Sequence, residues 1–405
     1  KYLLKGRVLE LIQNSSYKFS TFVKFITFIT ILLISSLIQL NSDWGVLGLS
    51  LVIVFTYLFY HPKSFFHPCN LVAAFYFLYV VMPSSINFYL DFIDYEYFLP
   101  WGQIVFWDQI SKYTLMQIKA TFLVLYFSFY FFLNYSENFH QYFAELRKKN
   151  IKNLIPNSIG LVVLYLVNFM LIFLYIESTG GLSGYLSNYS ETFLQGREGN
   201  GMLNILVFTL TNISVFCLGL AFYNSRRFKF LILLLTFILI FISAFVGGFK
   251  SRLMILFIIF FAPYLMNITI SIKKIALFAI LFFVFLYGTT LVRTEGFYAE
   301  FQAFFEMLIG YFNAHFLHDM IVETRDLGFF QTTNFFLIKP LQVLGFIGNE
   351  VDYDLSIMLT KEFFPEQWYL DTATQQWPLE TDLYLNFGGL YLQWIPLIIY
   401  SSIIS

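Results

Sequence analysis

Charge is what this sequence has least of. Only 12% of its 405 residues are Asp, Glu, Lys or Arg, against 58% hydrophobic. A soluble chain of this length cannot hide so much apolar surface, so the class is polytopic membrane protein. Cysteine is nearly missing. Cys69 and Cys217 both lie in apolar runs and suggest neither a disulfide framework nor a metal site. The apolar runs carry almost no ionisable residue at mid-run depth, Lys24 and Lys119 falling near run ends. An ion-coupled transporter uses buried charge of that kind, so its scarcity counts against one. Nucleotide-binding patterns are also missing: Gly180-Gly181 and Gly247-Gly248 follow no strand and precede no phosphate-binding lysine. The net charge of −1 identifies no partner, and nothing points to nucleic acid.

What is present is a series of apolar runs of membrane-spanning length. They are Phe22–Leu40, Trp44–Tyr60, Cys69–Leu90, Tyr113–Tyr135, Ser158–Ile176, Met202–Tyr223, Phe230–Gly247, Leu253–Ile272, Ile275–Val292 and Asn386–Ile404. None shows the period-two alternation of an outer-membrane barrel strand. The expectation is an all-α membrane protein of about ten or eleven transmembrane helices. Residues 1–292 hold helices one to nine, 293–385 a large loop, and 386–405 a late helix. The chain opens on Lys1 and stops inside an apolar run, so trimmed ends and one further span are expected. The first run is read as a retained anchor because no small-residue cleavage site follows it.

Basic residues concentrate in cytoplasmic segments. With the N-terminus inside, Lys1, Lys5, Arg7, Lys18, Lys24, Lys63, Arg147, Lys148, Lys149, Lys152, Arg226, Arg227, Lys229, Lys273 and Lys274 are inner, with only Glu10, Glu137 and Glu145 among the acids. Most acids then lie outside. This split predicts an inner-membrane protein whose loops Asp91–Lys112, Glu177–Gly201, Phe249–Arg252 and Arg293–Asp382 face the periplasm. Trp101, Trp107, Trp368 and Trp377 are expected as interfacial anchors.

The long segment Arg293–Asp382 organises the rest. Phe301–Phe316 shows helical spacing of aromatics and predicts an amphipathic helix lying in the interface. Pro340, Gly345, Gly348, Pro365 and Pro378 break the remainder into short pieces. His315 and His318 share one helical face. Three readings stay open for them: interfacial polar residues, a general base, or metal ligands with Asp319 or Glu323 as the third.

The outer basic residues run against the charge bias. They include Lys250 and Arg252 in the tight turn Gly247-Gly-Phe-Lys-Ser-Arg252, Arg293 at the end of the ninth run, Arg197 in Gln195-Gly-Arg-Glu-Gly-Asn-Gly201, and Arg325 and Lys339 in the long loop. A guanidinium offers bidentate hydrogen bonds to phosphate, and neighbouring glycines let backbone N–H groups approach an anion. The plainer reading is that these side chains snorkel and pair with outer acids.

Four stretches together resemble the Wzy-type oligosaccharide repeat-unit polymerases, which include the O-antigen and enterobacterial common antigen polymerases. Phe245-Val-Gly-Gly-Phe-Lys-Ser-Arg-Leu-Met-Ile255 is similar to the family's Gly-rich turn with a basic residue. Arg293 falls where the family tends to carry an arginine before its large periplasmic loop. Asp382-Leu-Tyr-Leu-Asn-Phe-Gly-Gly389 resembles its acid-x-Tyr-x-Asn-Phe-Gly segment, and Gly180-Gly-Leu-Ser-Gly-Tyr185 followed by Arg197 its earlier periplasmic loop. The chain departs from the family in carrying both Lys250 and Arg252 in the turn, and neither histidine belongs to a family motif.

The resemblance implies a GT-C-type membrane glycosyltransferase. A growing glycan on undecaprenyl pyrophosphate would be transferred to the non-reducing end of another undecaprenyl-pyrophosphate-linked repeat unit. Its partners would be that lipid-linked oligosaccharide, the bilayer and a chain-length regulator protein. Arg252 and Arg293 would steady the pyrophosphate leaving group, helped by Lys250, Arg197 and Arg325. Asp382 and Asn386 would bind substrate. By analogy with the related O-antigen ligases, His318, or else His315, would orient or deprotonate the acceptor hydroxyl. No acidic pair has a convincing metal spacing, so no cofactor is expected. The alternatives are an O-antigen ligase acting on lipid A-core, a lipid-linked oligosaccharide flippase, and a structural membrane subunit.

Overall fold

The computed structural model describes residues 26–36, 44–62, 65–93, 110–135, 158–187, 201–225, 227–247, 249–265, scattered positions between 271 and 287, 301–332, 341, 344–346, 355–371 and 374–404. Among them the secondary structure is helical, with one isolated antiparallel bridge between Phe329 and Phe387. We number the helices α1 (Ile26–Ser36), α2 (Gly45–Tyr60), α3 (Pro68–Tyr76), α4 (Met82–Phe92), α5 (Lys112–Tyr135), α6 (Ser158–Ser178), α7 (Gly181–Ser187), α8 (Gly201–Asn224), α9 (Lys229–Val246) and α10 (Phe249–Leu265). The long loop and the C-terminal run contribute α11 (Phe301–Phe312), α12 (Ala314–Thr324), α13 (Leu355–Phe363), α14 (Pro365–Asp371), α15 (Leu379–Asn386) and α16 (Trp394–Ile404).

Among the described residues, five stretches are long and apolar enough to cross a membrane: Pro68–Phe92, Lys112–Leu133, Ile159–Ser178, Met202–Asn224 and Lys229–Val246. They coincide with runs three to seven of the sequence. Shorter apolar helices among the described residues, Ile26–Ser36, Gly45–Tyr60, Arg252–Leu265 and Trp394–Ile404, overlap four more. Most of the ninth run lies outside the described residues. This is a helical membrane protein.

The helices pack in two groups. In one, α2, α3, α5 and α16 surround Leu49, Ile53, Tyr76, Phe122 and Tyr126. In the other, α6, α8, α9 and α10 surround Ile172, Val215, Leu239, Leu256 and Phe260. Lipid is as apolar as these side chains, so close packing and interhelical hydrogen bonds must hold the helices together. Gly219 on α8 shows the first: a Cβ there would sit 2.2 Å from the Phe260 carbonyl oxygen on α10. Thr211 Oγ1 shows the second, donating to Asn168 Oδ1 of α6 at 3.1 Å.

The helix from Pro68 to Phe92 is interrupted by a π-helical turn, Phe77–Val81. Pro83 follows it closely and has no N–H to give the Tyr79 carbonyl four residues back, which favours the wider turn.

Three sequence expectations are corrected. The tight turn Gly247–Arg252 is only a corner at Gly247: α10 starts at Phe249, so Lys250 and Arg252 are helical. The amphipathic segment Phe301–Phe316 is two helices broken at Asn313, and α11 packs on α4 through Phe304, Leu308 and Ile309 against Met82, Ile86 and Leu90. The tenth run is not one span. Gly388 and Gly389 adopt φ of 64° and 51°, in the left-handed region, and separate α15 from α16. A Cβ at Gly389 would lie 2.2 Å from the Tyr113 hydroxyl, which would have to shift to admit it.

Candidate functional site

The loop helices fold back onto the adjoining ends of α3 and α5, and polar side chains are buried where they meet. Glu380, in the first turn of α15, is 2% exposed. One of its carboxylate oxygens accepts a hydrogen bond from the Tyr76 hydroxyl at the end of α3. Its backbone carbonyl accepts from Gln117 Nε2 of α5 at 3.1 Å. No cation pairs with it among the described residues. Burial therefore raises its pKa to about 7, partly offset by the Tyr76 hydrogen bond.

Gln117 links Glu380 to His318. A carbonyl accepts only, so the Gln117 amide nitrogen must face Glu380 and its Oε1 must face His318 Nε2, 3.1 Å away. His318 therefore carries its proton on Nε2. Its Nδ1 is then an acceptor, and the Thr381 hydroxyl lies 3.3 Å from it. The ring also meets Tyr384 edge-on at 5.9 Å. Burial lowers the His318 pKa to about 3, so the ring is neutral, with both nitrogens engaged.

His315, one turn earlier on α12, is also fully buried, and desolvation lowers its pKa to about 4. The Tyr79 backbone lies against the ring and slightly favours the protonated form, yet neither ring nitrogen closes a hydrogen bond of good geometry among the described residues. The two histidines share a face, as their spacing requires. Asp319 does not join them: its Oδ1 accepts from Ser111 N at 3.1 Å, Ser111 Oγ at 2.6 Å and Thr114 Oγ1 at 2.5 Å. These contacts tie α12 to the start of α5. Glu323 is exposed.

Asp382 and Asn386 serve the loop's own architecture. Asn386 Nδ2 donates to Asp382 Oδ1 at 2.7 Å and to Thr332 Oγ1 at 2.6 Å, and its Oδ1 accepts from Thr332 N at 2.7 Å. Burial raises the Asp382 pKa and the Asn386 hydrogen bond works against that rise. Backbone bonds from Gly328, Phe330 and Gln331 to the carbonyls of Tyr384, Asn386 and Leu385 complete the seam. Phe330 takes a left-handed φ of 56° to make it.

Of the expected cations, Arg252 and Arg325 fall among the described residues, and they have separate partners. Arg252 sits in the second helix group, 9% exposed, with Nη2 donating to the Phe208 carbonyl at 3.1 Å and its guanidinium 4.5 Å from the Phe208 ring centroid. Gly247 makes room for it, since a Cβ there would touch Phe208 at 2.8 Å and Arg252 Cγ at 3.2 Å. Arg325 is paired with Glu362. Arg197, Arg293 and Lys339 lie outside the described residues, as does the Lys250 side chain. The described contacts thus join His318, Glu380, Gln117, Tyr76 and Thr381, and leave Arg252 with α8 and α9.

Comparison of the chain with protein-family models, curated proteins and solved structures gives no match.

Sequence reasoning passed over Glu380, Gln117 and Tyr76. A glutamine in the second turn of an apolar run and a proline inside another were the available signals. Neither says which loop residue it will meet.

Proposed function

We propose that the protein is a membrane glycosyltransferase that polymerises lipid-linked oligosaccharide repeat units. The reading starts from the resemblance to Wzy-type polymerases. One structural observation carries it furthest: the described helices of the long loop pack on α5 and the Pro68–Phe92 helix and bury His318, Glu380 and Gln117 against them. A polymerase of this class needs a shaped polar chamber at the membrane face, beside helices that guide the lipid. Undecaprenyl pyrophosphate would be the lipid, the bacterial inner membrane the location and the periplasmic side the active face. Arg252 and Arg293 remain the proposed partners of the pyrophosphate, with no metal required.

A second reading has one observation in its favour. Glu380 is a buried carboxyl hydrogen-bonded to a tyrosine of a membrane-crossing helix, which a proton-coupled flippase would also use.

The deciding experiment is a lipopolysaccharide gel from a deletion strain, with its undecaprenyl-linked pool analysed beside it. Surface chains capped at one repeat unit support the polymerase. Long chains held on undecaprenyl, with none on lipid A, identify a ligase. Single units trapped on the cytoplasmic side identify a flippase.

A further inference from the structure

The turn Gly328–Gln331 presents two neighbouring phenyl side chains to its surroundings. Phe329 is 54% exposed and Phe330 67%. The backbone beneath them is pinned. Gly328 N, Phe330 N and Gln331 N donate to the carbonyls of Tyr384, Asn386 and Leu385, and Gly388 N donates back to the Gly328 carbonyl at 3.0 Å. Phe330 holds a φ of 56° within this seam, a conformation unfavourable for a bulky side chain. Glycine would sit there without strain. The position carries instead a large apolar ring that the rest of the chain leaves mostly uncovered.

The turn lies level with the end of a membrane-crossing helix. The stretch Lys112–Leu133 has 22 residues, about 33 Å of helix, which is enough for the hydrocarbon core. Leu390 N donates to the hydroxyl of Tyr113, at the start of that stretch, at 3.2 Å. The Phe329 ring rests on the same corner, since a Cβ at Gly388 would strike it at 2.5 Å. The Phe330 ring lies 6.4 Å from that of Phe387, one residue before the corner.

The turn also lies on the lipid side. α16 runs along α5 with Gln393, Leu397 and Ser401 buried, and Gln393 meets Thr121. The opposite stripe, Tyr391, Ile395, Ile399 and Ile403, is exposed at helical spacing and meets lipid. The 3₁₀ turn Gly389–Tyr391 closes with Tyr391 N on the Gly388 carbonyl. Residues three apart eclipse in such a turn, so Gly388, with the Phe329 ring on it, stands above Tyr391 at the head of the stripe. Trp394 is exposed beside it, its indole N–H donated to the Tyr391 carbonyl at 2.9 Å. Aromatic rings of this kind collect at the membrane–water boundary. Trp377, expected from the sequence as such an anchor, packs on Phe363 and Phe364 instead.

We propose that Phe329 and Phe330 insert into the headgroup–acyl boundary of the bilayer and, with Tyr391 and Trp394, anchor the long loop to it. The anchor sets the height of α15, which ends at Asn386 beside the same corner. It serves a polymerase, a ligase or a flippase alike.

The test is photo-cross-linking in a bilayer. p-Benzoylphenylalanine replaces Phe329, Phe330, Tyr369 or Ile403, one at a time, in the full chain. Each protein is reconstituted into vesicles of phosphatidylcholine and phosphatidylglycerol and irradiated. Phe329 and Phe330 are replaced separately, so that a variant that fails to fold leaves the other to decide. Ile403 lies on the lipid-facing stripe, and Tyr369 is exposed on α14. Intact-mass measurement is expected to show lipid adducts from positions 329 and 330 at yields close to that from 403, and none from 369. Adducts from 403 with none from 329 or 330 overturn the proposal. So do cross-links from 329 and 330 to a second copy in place of lipid adducts, which would make the phenyl pair a subunit contact. Equal adduct yields from 369 and 330 also overturn it, because lipid contact would then not be particular to this turn.

Discussion

The Tyr76 hydroxyl donates to the Glu380 carboxyl group across 304 positions of sequence, and that bond ties α15 to the Pro68–Phe92 helix. Glu380 has no cation beside it among the described residues, so it is buried as the neutral acid. Its folded pKa of about 7 lies above the ordinary carboxylate value. The folded state then holds a proton that the unfolded chain has released, and stability falls as pH rises from about 4.5 to about 7 before levelling off. His315 and His318 oppose this loss, so it is read as a difference: the Tm of Glu380→Gln, which mimics the neutral acid, should gain on that of the wild type as pH rises across that range. Tyr76→Phe leaves the acid without its donor and should cost about 1–3 kcal/mol. An unchanged Tm profile in Glu380→Gln would show that the carboxyl is not buried as a neutral group.

The histidines act in the opposite direction. Burial depresses His315 to about 4 and His318 to about 3, so the folded state resists protons that the unfolded chain accepts near pH 6.5. Stability should fall as pH drops below about 6.5, with two protons involved, which sets the optimum close to neutrality. His318→Gln should shorten this acid limb by one proton. A slope unchanged in that variant would mean that His318 already titrates normally in the folded protein.

Gln117 predicts a spectroscopic signature. With its amide nitrogen on the Glu380 carbonyl, His318 must be the Nε2–H tautomer. The ¹⁵N shifts of histidine-labelled protein, assigned with His318→Gln, should show that tautomer persisting below pH 5. Gln117→Leu should destabilise the fold by about 1–3 kcal/mol and mix the tautomers, because the ring then loses the acceptor that orients it.

Much of this fold was legible in the sequence, for a physical reason. Runs such as Ser158–Ile176 and Phe230–Gly247 announce themselves because lipid demands apolar side chains on every face of a helix. The loop helices were harder. Phe301–Phe316 has the spacing of one helix, yet Asn313 divides it, because α11 must lie on α4 while α12 crosses to α5. The Asp382–Gly389 segment was visible as a motif, but not as the seam that Asn386 makes with Thr332. Pairings such as Tyr76 with Glu380 are set by how helices far apart in sequence meet, and no local pattern encodes that.

Gly389 is the loop's hinge against α5. Its φ of 51° disfavours a side chain, and a Cβ would strike the Tyr113 hydroxyl, which also accepts from Leu390 N at 3.2 Å. Gly389→Ala should lower Tm by several degrees, and Tyr113→Phe should not rescue it fully, since the backbone strain persists. Full recovery in the double variant would assign the whole cost to the hydroxyl contact.

The last prediction separates two meanings of Arg252. Its Nη2 rests on the Phe208 carbonyl and its face on the Phe208 ring, while Nε has no partner among the described residues. A side chain that only packs should tolerate Arg252→Met with a modest change in Tm, because the stem and its contact with Phe208 survive. A guanidinium that steadies a leaving pyrophosphate should lose at least tenfold in polymer formed, about 1.4 kcal/mol of transition-state stabilisation, with the fold intact. Arg252→Lys divides the cases further. It keeps the charge and loses the planar fork, so partial recovery indicates charge, and none indicates bidentate geometry. Arg252→Met with a normal Tm and normal polymer length would remove Arg252 from the chemistry and leave it as a packing residue of the second helix group.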